Sequence, residues 1–281
     1  MRRAMSSVIA AAVFALLLTA NLSFAQGDKK KTLLPTKGFG SLTGNVTYDG
    51  DPPAEVNLVE LMKKHADKDC CLAPKAKDIE KIDPTWKVDK KTKGVANVMI
   101  WIKAPIGTYL ETHPKLKVRK EQLVIDQPHC AFLPRMTAFQ PYYLNNGTEV
   151  ATGQSILVKN SAVVPHNIRA TGNPLRNPGF NKNMPPMTEI DISADLKTQP
   201  LPISLQCDFH PWMAAKLFVF DHPYYAITKA DGTFEIPFVP AGAEVSIMGW
   251  HEGIGYTNGN MGKKMVIKAG ANTLEVKISN K

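Results

Sequence analysis

The chain is a succession of short apolar runs, each closed by a proline or glycine turn. Twenty-one prolines and nineteen glycines interrupt its 281 residues. Neither residue is tolerated well in a helix interior, so long helices are excluded along most of the length. The runs at 95–103, 124–126, 138–144, 155–159, 167–170, 188–192, 203–207 and 216–220 read as strands. Further strands are expected at 234–236 and 245–251 around the turn 240–242. Residues 265–268 and 272–278 are expected to form a final hairpin about Gly270. One short helix is expected at 56–65, with Leu58, Leu61 and Met62 on one face. Residues 63–89 read as charged and irregular, and 171–186 as a long loop. The pattern predicts an all-β protein of sandwich type.

One turn carries chemistry. Cys207-Asp-Phe-His210-Pro-Trp-Met213 places a thiol, an imidazole and a thioether on one short loop between two strands. Upstream, Pro165-His166-Asn167 offers a second imidazole at the start of another strand. His166, Cys207 and His210 would form a His2Cys trigon with Met213 as a weak axial donor. That donor set suits one type 1 copper ion. A bland alternative makes Cys207 a buried thiol or a disulfide partner, and His210 a hydrogen-bonded core residue.

These residues resemble the cupredoxin family, in its amicyanin-like and plastocyanin-like members. The loop 207–213 is similar to that family's short ligand loop, and Val164-Pro-His166-Asn-Ile168 to its first ligand segment. Residues 126–134, with Phe132 and Pro134, resemble the family's strand-opening segment. The resemblance covers residues 117–222. It implies a Greek-key sandwich, single-electron transfer, and His166, Cys207, His210 and Met213 as copper ligands. It also implies that Asn167 ties the two ligand segments together. Two positions depart from the pattern. Asp208 stands where relatives often carry Ser or Thr, and is expected to accept from Asn167. Phe209 stands where amicyanin-like loops carry Pro, so a backbone N–H is retained there. That N–H is expected to reach the Cys207 sulfur and raise the reduction potential. Pro211, Trp212, Met184, Pro185, Pro186 and Met187 are expected to rim an exposed edge of His210, unless Trp212 packs inward.

Cys70, Cys71 and Cys130 remain. Cys130 is expected to pair with Cys70 or with Cys71. A metal site of His65, Cys70 and Cys71 is an alternative use, as is a second copper site at His129 and Met136. His113, His222 and His251 read as structural.

Outside the copper loop, Asp231-Gly232-Thr-Phe234-Glu-Ile236 with Val239-Pro240-Ala241-Gly242 resembles the carboxypeptidase regulatory-like (transthyretin-like) β-sandwich. Gly44-Asn-Val46-Thr-Tyr-Asp-Gly50-Asp-Pro52 is similar to that family's opening. The two resemblances together imply a small sandwich made of 40–104 and 223–281, interrupted by the cupredoxin. The alternative is an enlarged cupredoxin at 40–222 with a C-terminal β domain at 223–281.

Residues 1–25 read as a signal peptide, with Arg2 and Arg3 before an apolar stretch too short to span a bilayer. Residues 26–39 are a polar lead-in. The formal charge is +9, and loss of the two signal arginines would leave +7. A basic protein of this kind attracts acidic partners. No nucleic-acid motif and no stable membrane span are present in the sequence. There is no nucleophile–base set, phosphate-cradling glycine loop or His-x-His pair, so an enzyme is not expected. The expected function is an exported type 1 copper protein, periplasmic or secreted, carrying electrons between redox partners such as a cytochrome or dehydrogenase. The alternatives are copper handling and a surface interaction protein.

Overall fold

In the computed structural model, residues 31–280 are described; the expected signal peptide and the start of the lead-in lie outside them. The chain is all-β, and most of its strands belong to two sandwiches.

The first sandwich stacks a five-stranded sheet on a three-stranded one. The larger sheet runs in the order Phe180–Met184, His166–Thr171, Ile203–Gln206, Ala214–Val219 and Met136–Phe139. The smaller runs Thr188–Asp191, Ser155–Asn160 and Gln122–Asp126. Ile125, Ile156, Val158, Ile168, Leu205, Leu217 and Phe139 are buried between them. Phe180–Met184 falls in the stretch expected to be loop. It pairs antiparallel with His166–Thr171, its side chains half-buried or exposed until Met184. An edge strand facing water leaves little apolar period to read.

The second sandwich draws on both ends of the chain. One sheet has Phe39–Tyr48 between Thr233–Pro240 and Gly270–Ile278. The other has Tyr225–Ile227, Met99–Lys103, Glu244–His251 and Gly255–Tyr256, with Lys263–Val266 also on Glu244–His251. Leu274, Val276 and Ile278 are buried while Glu275 and Lys277 are exposed, the period-two pattern of a strand with one wet face. Gly40 to Tyr48 pairs in parallel with Gly270 to Ile278 along its whole length. The expected hairpin about Gly270 is therefore corrected. Lys263–Val266 and Gly270–Ile278 lie in opposite sheets, because Ile267 drops into the core between them and the chain crosses the sandwich. Gly232 shows what one turn requires. Its φ is +84°, and a Cβ there would sit 2.3 Å from Val46 O.

The two sandwiches pack face to face. Met99 and Trp101 alternate with Ile100 and Ile102, which point into the second sandwich's own core. Met99, Trp101, Met248 and Trp250 instead meet Met136, Ala138, Phe218 and Phe220 of the first sandwich. Strands buried on both faces lose the alternation, which explains the continuous apolar run at 99–102. Burying each large side chain stabilises the joint by about 1.5–3 kcal/mol. Arg135, paired with Glu252 at 2.9 Å, adds a charged tie across it.

The segment before Met99 contributes a helical insert to the first sandwich. Asn57 Oδ1 accepts from the Val59 N–H at 2.8 Å and opens the short helix Val59–Met62; a second, Lys68–Cys71, follows. The expected single helix at 56–65 is thus two brief turns. Met62 is fully buried, Leu58 is half-buried against the same core, and Leu61 is exposed, so the three do not share a buried face.

Candidate metal centre

The loop 207–213 joins the antiparallel strands Ile203–Gln206 and Ala214–Val219. It is closed by two backbone hydrogen bonds: Cys207 N–H donates to Met213 O at 3.2 Å, and Met213 N–H to His210 O at 2.9 Å. Cys207, His210 and Met213 are all buried, and Cys207 is a free thiol. Cys207 Sγ lies 3.9 Å from His210 Nδ1.

His166 opens the neighbouring strand and is also fully buried. Its ring centroid is 4.8 Å from that of His210. Gln127 fixes its orientation. The Gln127 side-chain N–H2 faces Lys159 O and Met184 Sδ, both at 3.3 Å, so its Oε1 accepts from His166 Nδ1 at 3.0 Å. That leaves His166 Nε2 bare, buried and without a hydrogen-bond partner. A buried orphan acceptor is costly unless something occupies it. Burial, and then the nearby His210, push the His166 pKa down to about 3, which keeps the imidazole neutral and able to donate a lone pair.

The four residues are gathered at one end of the sandwich, but not as a closed trigon. Among the described residues, the groups of three whose donor atoms all lie within 4.8 Å of one another are Cys130, His166, His210 and His65, Cys71, His210. Cys71 and Cys130 are disulfide-bonded to each other, with Cα atoms 4.9 Å apart, so neither sulfur is a thiolate there. The pairing left open between Cys70 and Cys71 falls to Cys71. Cys70 is a buried free thiol whose pKa is raised, chiefly by burial. A site using Cys70 and Cys71 together is not assembled, because Cys71 is spent in the disulfide.

Asp208 is the hub of a polar clasp. Its Oδ2 accepts from Asn167 Nδ2 at 2.9 Å and from Asn181 Nδ2 at 2.8 Å, and its Oδ1 pairs with Arg169 Nε at 2.8 Å. Its N–H donates to Asn167 Oδ1 at 2.7 Å. These contacts pin the ligand loop to the strands bearing His166 and Met184. No hydrogen bond joins the Phe209 N–H to the Cys207 sulfur among the described residues, so that expectation is corrected. The Phe209 side chain is half-exposed, and its carbonyl contacts His65 Nε2 at 3.1 Å.

The expected rim around an exposed His210 edge is also corrected. His210 has no exposed surface. His65 lies over it with ring centroids 4.6 Å apart, and Asp67 Oδ2 is 3.1 Å from His210 Nε2. The Asp67 carboxylate is at ion-pair distance from Nε2 but is not aligned for a hydrogen bond to it. The cover is the helical insert, tied down by Cys71–Cys130. Trp212 turns inward and donates from Nε1 to Cys130 O at 3.0 Å. Met184 is buried, while Met187 stands out in solvent. Burial lowers the His210 pKa; His65 lowers it further, and Asp67 opposes both. A cleft of about 200 Å³ runs from Trp212 and Met213 past Arg135 to Thr228, between the sandwiches.

The remaining histidines stand apart from this cluster. His129 Nδ1 pairs with the buried Glu80 at 2.9 Å, whereas Met136 faces the inter-sandwich joint, so they do not form a second site. His113 stacks on Phe238, His222 Nδ1 accepts from the Tyr224 N–H, and His251 packs on Trp86.

His65 and Asp67 were not legible as neighbours of His210, since nothing in their spacing relates residue 67 to residue 210. Gln127, Arg169 and Asn181 carried no signal either.

Fold and site together define an all-β protein with two buried imidazoles, a free buried thiol and a buried thioether at one end of a sandwich. No family model and no curated protein matches the chain. Solved structures do show a partial likeness. One is a purple cupredoxin from Nitrosopumilus maritimus, at 16% identity over 35% of this chain and 98% of that chain, TM-score 0.25. Another is an oxidised amicyanin variant, at 14% identity over 37% and 87%, TM-score 0.27. A reduced amicyanin variant matches at 15% identity over 43% and 98%, TM-score 0.27. With overlaps this small, the chemistry of the site rests on its own side chains.

Proposed function

We propose that the protein binds one type 1 copper ion through His166, Cys207, His210 and Met213 and serves as an exported, non-enzymatic single-electron carrier. The observation that carries this reading is the unpartnered, buried His166 Nε2 beside His210, with the free Cys207 thiol 3.9 Å from His210 Nδ1. Thiolate, imidazole and thioether together are the donor set that copper prefers over harder cations. Bound there, copper would supply a Cu(I)/Cu(II) couple. The chain's part is to hold the donors in place: Asn167 and Asp208 clamp the loop, Gln127 orients His166, and the apolar sandwich keeps water out. The Cys71–Cys130 disulfide supports an oxidising compartment, periplasmic or extracellular. A redox protein such as a cytochrome or dehydrogenase would be the partner. The second sandwich, which we read as regulatory-like, braces the first.

A second reading, copper handling, has one observation in its favour. The insert over His210 closes the edge through which an electron would otherwise leave. The test is a copper titration followed by visible absorption and paramagnetic resonance, with Cys207→Ser alongside. An intense thiolate-to-copper band that Cys207→Ser abolishes, and that bleaches and returns on reduction and reoxidation, supports the carrier. Tight Cu(I) binding with no such band supports handling. Absence of copper binding defeats both.

A further inference from the structure

The helical insert does more than cover His210: it brings a carboxylate to the far nitrogen of that ring. Asp67 Oδ2 lies 3.1 Å from His210 Nε2, and the opposite nitrogen, Nδ1, faces Cys207 Sγ at 3.9 Å. The insert is held in this position by contacts that do not use the Asp67 side chain. The Asp67 N–H donates to His65 Nδ1 at 3.2 Å, so His65 carries its proton on Nε2, which points at Phe209 O at 3.1 Å. The Cys71–Cys130 disulfide anchors the next turn. Trp212 then binds Cys130 O. Asp67 is thus placed by its neighbours; its Oδ2 also lies 3.7 Å from His65 Nδ1, and its shorter contact is the one to His210.

We propose that Asp67 is a positioning residue that holds the proton of neutral His210 on Nε2, leaving Nδ1 bare on the side of Cys207. A neutral imidazole has one N–H and one lone pair, and the partner of one nitrogen decides which is which. Against a fully buried ring, a carboxylate 3.1 Å away favours the N–H dipole turned toward it even without full alignment, although the 31% exposed Asp67 is partly screened by water. The same carboxylate makes the imidazole a stronger donor to a metal. His166 is set by the same logic with a neutral partner: Gln127 Oε1 takes the Nδ1 proton and leaves Nε2 bare. The two rings therefore use opposite tautomers, each chosen by a side chain outside the ligand set. This inference deepens the copper reading and rests on it only for its redox consequence.

The test uses the full chain without metal, at a pH where imidazoles are neutral. Long-range nitrogen–proton correlation spectra distinguish the Nε2–H from the Nδ1–H tautomer. Wild type is expected to show His210 as Nε2–H and His166 as Nδ1–H. In Asp67→Ala, His210 is expected to shift toward a mixture, while His166 is unchanged. Asp67→Glu is expected to restore the wild-type pattern. Should Asp67→Ala fail to fold, Asp67→Asn keeps the shape and removes the charge, and a smaller Nε2–H fraction is expected. A wild-type His210 found as Nδ1–H, or a tautomer indifferent to both the Ala and Asn variants, overturns the proposal. The copper-loaded proteins give a second readout: loss of the carboxylate is expected to raise the reduction potential. A wild type that takes up no copper defeats the functional reading, whereas the tautomer result still decides the role of Asp67.

Discussion

Asn167 and Asp208 exchange two hydrogen bonds, side chain to side chain at 2.9 Å and backbone N–H to side chain at 2.7 Å. Asn167 adjoins one candidate ligand and Asp208 another, so this pair couples the two segments of the centre. Asn167→Ala would leave the Asp208 N–H and carboxylate short of a partner. A loss of about 1–3 kcal/mol is expected in denaturant unfolding. A loss below about 0.5 kcal/mol would show that Asn181 and Arg169 suffice to hold Asp208.

The disulfide makes a separate prediction. Cys71 and Cys130 are 59 residues apart in sequence, and their bond anchors the insert over His210. Replacing both with serine is expected to cost about 2–4 kcal/mol of stability. It should also open His210 to a histidine-modifying reagent such as diethyl pyrocarbonate. Mass spectrometry of the modified protein reads this directly. Unchanged protection of His210 would mean that His65 and Asp67 hold the cover unaided.

Acid stability should report on His251. This residue is fully buried against Trp86, and burial pushes its pKa down to about 4, with Thr85 and Glu252 opposing. The unfolded chain, with a histidine pKa near ~6.5, then binds more protons than the folded one between about pH 4 and 6.5. Stability therefore rises with pH across that window and falls by up to about 3 kcal/mol on acidification through it. The free energy of unfolding of wild type and His251→Gln, measured from pH 4 to 7, checks this. The variant is expected to show a flatter profile; parallel curves would rule His251 out.

The joint between the sandwiches is expected to be cooperative. Trp101 is buried against Phe218, Phe220 and Tyr256, with ring centroids 5.8, 6.0 and 6.3 Å away. Trp101→Ala should cost about 3–5 kcal/mol and leave a cavity on the shared face. Calorimetry is expected to resolve two transitions where wild type shows one. A single, merely shifted transition would show that the rest of the joint keeps the halves together.

Strand content was legible because period-two burial leaves a trace in the order of residues, as at Leu274, Val276 and Ile278. The ligand loop was legible because its donors sit three residues apart on one turn. The edge strand Phe180–Met184 was not, since it faces water and lacks the period. The expected hairpin about Gly270 does not form, and a turn looks the same in sequence whether its strands pair with each other or cross between sheets.

A β protein with soft donors on a tight loop, a histidine upstream to meet them, and more thiols than one disulfide can use is already specified in the order of residues. Local spacing and side-chain chemistry are enough for that. That Cys71 pairs with Cys130, that Gln127 orients His166, and that His65 and Asp67 close over His210 emerges once the chain is packed. Those contacts join residues from about 40 to more than 140 positions apart, and it is chain crossing and packing, not spacing, that brings such residues together.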